Sequence, residues 1–239
     1  IKSYVDIQTQ LGRTFMTPSI QEWDHCSFIQ TVPSRYTGLS YGFIQNSKGK
    51  KSYRSSGSRD LVLNLEKPDY PWLKQVGRLD HTATRVTAEE RDKAIVEFME
   101  VTNYHFDFAI YVKSLNSITS VARLTARDFA MVFTSGIETF TSEDESGPTE
   151  NFIHNYGRRV HHMAFDTREI EVVFQALKDE GVEFLIELVG APEQGLKQTF
   201  TEPSDHTLLV NEYIHRYGDF DGFFTKNNVT DLTRATGKQ

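Results

Sequence analysis

The chain has 239 residues, 38% of them hydrophobic and 12% aromatic, enough for one large or two modest buried cores. Its formal net charge of −7 argues against binding a nucleic-acid backbone as its main task. No apolar run approaches the roughly 20 residues of a membrane span, no signal-peptide pattern opens the chain, and a single cysteine, Cys26, excludes an intrachain disulfide and fits a reducing, cytoplasmic setting.

Ile1, Ser3, Val5 and Ile7 alternate as a strand does, so residues 1–9 read as the tail of an earlier module. Residues 10–45 are aromatic and irregular and predict loops and short strands. Residues 46–59 carry Lys48, Lys50, Lys51, Arg54 and Arg59 among Ser and Gly, which reads as a solvated loop rather than a basic interaction patch. A short strand is expected over 61–65, then a connector holding Pro68 and Pro71. Residues 1–72 are therefore expected to be an N-terminal remnant with its connector, and 73–239 the catalytic domain.

From residue 78 the chain repeats itself. Arg78-Leu79-Asp80-His81-Thr82-Ala83 and Arg159-Val160-His161-His162-Met163-Ala164 share Arg, an apolar residue, a polar residue, His, any residue and Ala. In the first copy Thr87 and Glu90 suggest a capping box. The helix after it puts Ala94, Ile95, Phe98 and Met99 on one face. Strands follow over 106–112, 117–124 and 129–134, and residues 138–151 read as an acidic crossing loop. In the second copy Asp166 reads as an N-cap, Ile170, Val173, Phe174 and Leu177 form the buried stripe, and Gly181 falls at the helix end. Strands are expected over 183–189, 196–201 and 207–214. Each copy is thus βαβββ, as modules 77–137 and 158–216, with a tail over 217–239 that becomes helical near Val229.

Two equivalent histidines on equivalent strands suggest a shared metal, with Glu212, flanked by Val210 and Ile214, as third ligand. Alternation turns His161 to the face opposite His162, behind the ligand or at the surface. The spacing that carries His162 to Glu212 carries His81 to Met131, so the first copy offers no second carboxylate. Two imidazoles and one carboxylate leave open positions, which favours Fe(II) with dioxygen. The alternative for Glu212 is a solvated carboxylate or one paired with Arg216.

At these residues the chain resembles the vicinal-oxygen-chelate superfamily and, within it, the 4-hydroxyphenylpyruvate dioxygenase family. The resemblance rests on Val160-His161-His162-Met163-Ala164, on Gln198-Thr199-Phe200-Thr201-Glu202-Pro203, on Glu212-Tyr213-Ile214-His215-Arg216 and on Gly222-Phe223-Phe224. It implies an α+β fold of paired βαβββ modules forming a half-barrel around Fe(II), held by His81, His162 and Glu212. It implies an enzyme that oxidatively decarboxylates a small aromatic 2-oxo acid with dioxygen and oxidises its side chain or ring. Phe200 and Phe223 would sandwich that ring and Gln198 would hydrogen-bond in the pocket. His161 stands beside the substrate where the family has Gln, and Val229 stands where the tail helix carries an aromatic residue. The resemblance implies no nucleic-acid or membrane partner and allows a homo-oligomer. Two other readings are an extradiol-type ring-cleaving dioxygenase, which would need a further pocket His and Tyr, and a non-catalytic binding module of the same fold.

Overall fold

The computed structural model describes residues 1–47, 56, 58–64, 66 and 68–239. It divides into two compact units, Ile1–Pro68 and Asp69–Gln239. In the first, helix α1 (Lys2–Gln10) precedes an antiparallel sheet of β1 (Gln21–Trp23), β2 (Cys26–Gln30) and β3 (Gly42–Asn46), in that order. The opening segment is a helix, not the expected strand. Its covered side is Tyr4 and Gln8, four residues apart, with Tyr4 packed on Phe43 at 4.5 Å between ring centres and Ile7 left exposed. Residues 61–64 form no strand and 61–63 are exposed; Leu65 and most of the basic loop, 48–55 and 57, lie outside the described residues.

The second unit is built from one eight-stranded sheet. The first module runs β4 (Val76–Arg85), α2 (Arg91–Val101), β5 (His105–Val112), β6 (Ser117–Arg123) and β7 (Ala130–Ser135). The second runs β8 (Arg159–Thr167), α4 (Ile170–Asp179), β9 (Phe184–Ala191), β10 (Leu196–Thr201) and β11 (Val210–Arg216), with α3 (Glu143–Tyr156) between the modules and α5 (Lys226–Ala235) after them. The sheet order is β5-β6-β7-β4-β8-β11-β10-β9, in which each module contributes four adjacent strands and the two copies meet at β4 and β8. Those central strands pair antiparallel, while β4–β7 and β8–β11 are parallel, so the two halves are arranged symmetrically about the β4–β8 seam. The sheet curls into a half-barrel, as expected of the paired modules.

Each module helix buries the stripe that its spacing predicts. Ala94, Ile95 and Phe98 are buried on α2, with Phe98 edge-on to the fully buried Phe133 of β7; Met99 is only half-covered. Ile170, Val173 and Leu177 are buried on α4, and Phe174 packs on Phe184. Side chains of this size each contribute about 1.5–3 kcal/mol on full burial. At the end of α4 the Val182 N–H bonds the Leu177 carbonyl and the Gly181 N–H bonds that of Lys178, with Gly181 at φ +83. That is the double C-terminal bond pattern for which glycine is suited.

Helix starts differ from expectation. Thr87 opens a turn whose carbonyl accepts from the N–H groups of Glu90 and Arg91, and α2 begins only at Arg91. Asp166 stays in β8, paired with Ile214, and Glu169 takes the position before α4. Of the acidic stretch read as a crossing loop, 138–142 is outside any helix or strand but the rest, from Glu143, is the first part of α3. Glu143, Asp144 and Glu145 sit in its first turn, where a helix favours negative charge, and Gly147 (φ +76) kinks it before Pro148. Helix α5 starts at Lys226, three residues before Val229, with Thr225 accepting from the Asn228 N–H as its cap. It packs on β5 and β9, the two edge strands, and so spans the open side of the half-barrel.

Candidate metal centre

His81 on β4, His162 on β8 and Glu212 on β11 converge across three adjacent strands. Glu212 Oε2 lies 3.1 Å from His81 Nε2 and 3.3 Å from His162 Nε2, and the three donor atoms lie within 4.8 Å of one another. All three residues are buried, and His81 Nε2 has no properly directed hydrogen bond despite being sealed from solvent. A buried carboxylate facing two ring nitrogens, one of them orphaned, is a donor set that suits a divalent first-row metal.

The other nitrogen of each ring is held from behind. Asp80 Oδ2 lies 2.8 Å from His81 Nδ1, and Arg216 donates to both oxygens of Asp80 at 2.6 and 3.1 Å. Arg216 therefore pairs with Asp80 and not with Glu212. Behind the second histidine, His161 Nδ1 lies 2.9 Å from His162 Nδ1, and His161 Nε2 lies 2.8 Å from Gln239 Oε1. One tautomer assignment satisfies this chain: His162 donates to His161, and His161 donates to Gln239.

The backbone explains why His161 lies on the same face as His162, against the alternation expected of it. Ala83 pairs with His162 and the next residue, Thr84, pairs with Val160, so His161 is an extra residue in a β-bulge. Asp80 is the extra residue of a second bulge, between the pairs Leu79–Phe165 and His81–Ala164. The repeat thus extends to its irregularities, since in each module the residue before the paired histidine bulges out and supports that histidine.

Register also corrects the counterpart of Glu212. Ala164 pairs with Glu212, and Ala83, at the same step in the first module, pairs with Val132. Val132 replaces Met131 as the equivalent position, and it lines the cavity with His162 and Glu212, while the Met131 sulfur meets the hydroxyls of Thr82 and Thr84. The first module still offers no second carboxylate there.

The cavity at this centre has about 480 Å³ of empty space counted out to its open mouth. Gln198 and Phe200 of β10 line it, as do His161, Val132 and, from α5, Val229 and Leu232. Gln198 Nε2 donates to Glu212 Oε1 at 2.5 Å and its Oε1 accepts from Asn228 at 3.0 Å, so this amide braces the carboxylate and ties it to α5. Phe223, expected to face Phe200 across the substrate, does not line this cavity; its ring lies edge-on to His81 at 5.4 Å. It is turned into the core with Ala83, Val121, Ala130 and Val132, under the Arg216 guanidinium at 4.6 Å, and Phe224 lines the cavity instead.

Charge is unevenly distributed over the two rings. Burial works against the charged form of His81, but Glu212 and Asp80 outweigh it and raise its pKa to about 9. Burial, with His161, His81 and Arg85 adding to it, holds His162 well below the ordinary histidine value. Burial would raise Asp80, yet His81 and Arg216 keep its carboxylate far below the usual range.

Arg85 also lines the cavity. It lies four residues beyond His81 on the same strand and therefore on the same face, a signal present in the alternation of His81, Ala83 and Arg85. Of the remaining histidines, His154 stacks on Phe140 at 4.0 Å and His215 meets the Thr167 carbonyl at 2.7 Å, away from this centre. Among the described residues no helix is long and apolar enough to cross a membrane.

The whole chain aligns with the structure of a mutant of 4-hydroxymandelate synthase from Streptomyces coelicolor, over 99% of this chain and 73% of that one, at a TM-score of 0.70 and 17% identity. Methylmalonyl-CoA epimerase from Mycobacterium tuberculosis aligns over 60% of this chain and 91% of its own, at 0.49 and 14% identity. A comparison with curated protein sequences finds no match. Residues 73–210, which run from the start of the first module to the start of β11, match the family described as the glyoxalase/bleomycin resistance protein/dioxygenase superfamily, and the chain belongs to that superfamily.

Proposed function

We propose that this chain is a non-haem Fe(II)-dependent dioxygenase acting on a 2-oxo acid, with oxidative decarboxylation followed by oxidation of the substrate's side chain or ring. The observation that carries this reading is the donor set: two imidazoles and one carboxylate, with Val132 at the position where a fourth, carboxylate ligand would stand. Such a set leaves adjacent coordination positions free for a chelating substrate and dioxygen. A 4-hydroxymandelate synthase among the structural neighbours supports the same class.

Under this reading His81, His162 and Glu212 would hold the metal. Bound there, Fe(II) would supply the redox chemistry by which dioxygen oxidises a chelated 2-oxo acid with loss of carbon dioxide. Asp80 and His161 would hold the far nitrogen of each ring and so aim the donor nitrogens inward. Gln198 would fix the carboxylate's rotation. Phe200 and Phe224 would wall the substrate side chain, and α5 would exclude water from the centre.

Anaerobic reconstitution with Fe(II), metal analysis and oxygen-uptake measurements against a panel of 2-oxo acids test the proposal. We expect close to one iron per chain and substrate-dependent uptake, both lost in Glu212→Ala. Iron binding that survives in Glu212→Ala, or uptake independent of any 2-oxo acid, would overturn it.

A further inference from the structure

Arg85 is 3% exposed and ends the central strand β4. A buried guanidinium normally has a carboxylate opposite it, because leaving a charge unpaired in the interior is costly. Among the described residues the Arg85 side chain makes no hydrogen bond or ion pair, and its Nη1 is fully buried without a partner. Its guanidinium lies over the ring of Phe152 at 4.2 Å. Glu150, a buried acid on the same helix as Phe152, is already engaged, accepting the Gly136 N–H at 2.7 Å. Burial alone draws the Arg85 pKa down to about 9, which leaves it a cation at neutral pH.

The surroundings of Arg85 indicate what would complete it. A guanidinium has five donors and no acceptor, so the missing group is an acceptor-rich anion that its planar fork can meet in two places. The cavity wall includes Thr119, Thr134, Thr149 and Thr233, whose hydroxyls can add donors to the same anion. Thr134 is the direct neighbour of Arg85 across β7. The Cα atoms of Arg85 and His81 are separated by roughly 13 Å of strand, so an anion at Arg85 is a different group from one chelated beside His81 and Glu212.

We propose that Arg85 recognises a second acid group on the ligand, so that the cavity takes a 2-oxo diacid in preference to a 2-oxo monoacid. This rests on the dioxygenase reading for the 2-oxo acid end alone; the Arg85 end requires only a carboxylate.

Calorimetric titration tests it with probes matched in chain length, 2-oxoglutarate against 2-oxopentanoate and 2-oxoadipate against 2-oxohexanoate, on protein loaded with redox-silent Zn(II). Glutarate against pentanoate on the metal-free protein isolates the Arg85 end. We expect at least one diacid to bind tenfold or more tightly than its monoacid, glutarate to bind where pentanoate does not, and Arg85→Met to abolish both preferences. Arg85→Met should retain Zn(II) affinity and a melting temperature equal to or above the wild type, because it removes an unpaired buried charge. Arg85→Lys, which keeps the cation and loses the fork, should fall between. Equal binding of diacid and monoacid by the wild type, or a preference that survives in Arg85→Met, would overturn the proposal. A large drop in melting temperature in Arg85→Met would assign the residue a structural role instead. Failure of metal uptake with the glutarate preference intact would count against the dioxygenase reading and leave Arg85 standing.

Discussion

His161 and His162 are neighbours in sequence, yet their rings share one face of β8 and meet Nδ1 to Nδ1 at 2.9 Å. Only a bulge permits this, and it gives His162 a support like the one that Asp80 gives its own neighbour His81 on β4. The two supports differ in charge. A carboxylate stabilises protonated His81, whereas a neutral imidazole leaves His162 easily deprotonated.

The first expected consequence concerns His161. Replacing it with Phe removes the acceptor for His162 Nδ1–H and the donor to Gln239 while keeping a ring in place. We expect metal affinity to fall about 10–100-fold, the usual effect of losing such a support. His161→Gln retains a side-chain acceptor and should lose much less. Competition with a metal-binding dye measures both, and equal affinities for the two variants would show that the hydrogen bond has no orienting role.

Metal uptake should also depend on pH through His81. A ligand nitrogen must be free of its proton, and in the metal-free protein His81 holds that proton up to about pH 9. Apparent affinity should therefore rise about tenfold per pH unit below that value and level off above it. His162, whose pKa is lowered, adds no such dependence in this range. In Asp80→Asn, one of the two carboxylates that raise His81 is gone, so the plateau should begin at a lower pH. Affinity independent of pH between 6 and 8 would contradict the electrostatic account of this histidine pair.

Much of this was legible in the residues. Two alternating stretches with Arg, His and Ala in matched places revealed the duplication, because a strand's period of two is short enough to survive divergence. What alternation cannot reveal is its own interruption. Nothing local marks the bulges at Asp80 and His161, which arise from how β4 and β8 pair. Counting along the chain likewise selected Met131, whereas pairing selected Val132. The run from Glu143 looked like a loop by composition, though its acids favour a helix N-terminus. Phe223 and Phe224 are adjacent, and which ring enters the cavity depends on packing that sequence does not express. Arg85 was visible as a charge at an inward position, but only its lack of a partner gives it meaning.

Substrate choice follows from the cavity's donors and acceptors. Gln198, the residue expected to bond in the pocket, is engaged with Glu212 and Asn228. The guanidinium of Arg85 cannot accept a phenol's proton. A phenol could meet only the threonine hydroxyls of the wall, and such a neutral hydrogen bond, exchanged for one to water, contributes only about 0.5–1.5 kcal/mol net. We therefore expect 4-hydroxyphenylpyruvate and phenylpyruvate to drive oxygen uptake with kcat/KM values within about tenfold of each other. A preference of about a hundredfold for the hydroxylated acid, near 2.7 kcal/mol, would mean that the pocket holds the phenol after all.

The symmetry of the two modules offers the most direct test of the open coordination positions. Val132 is 1% exposed and occupies in the first module the place that Glu212 occupies in the second. Val132→Glu should thus present a second carboxylate to the same centre. Without metal, that acid buries a second carboxylate beside Glu212 and should destabilise the fold by about 1–3 kcal/mol, seen as a lower melting temperature. Added Zn(II) should raise the melting temperature more in this variant than in the wild type, since a further charged ligand strengthens binding to the folded state. The same carboxylate would occupy a position that the chelating substrate needs, so 2-oxo acid binding to the Zn(II)-loaded variant should weaken tenfold or more. Val132→Gln, of similar size and without charge, separates bulk from coordination: it should lower 2-oxo acid binding less and gain nothing from Zn(II). Identical metal responses in the Glu and Gln variants would show that Val132 does not face the metal centre as Glu212 does, and the argument from the vacant fourth ligand would fall with it.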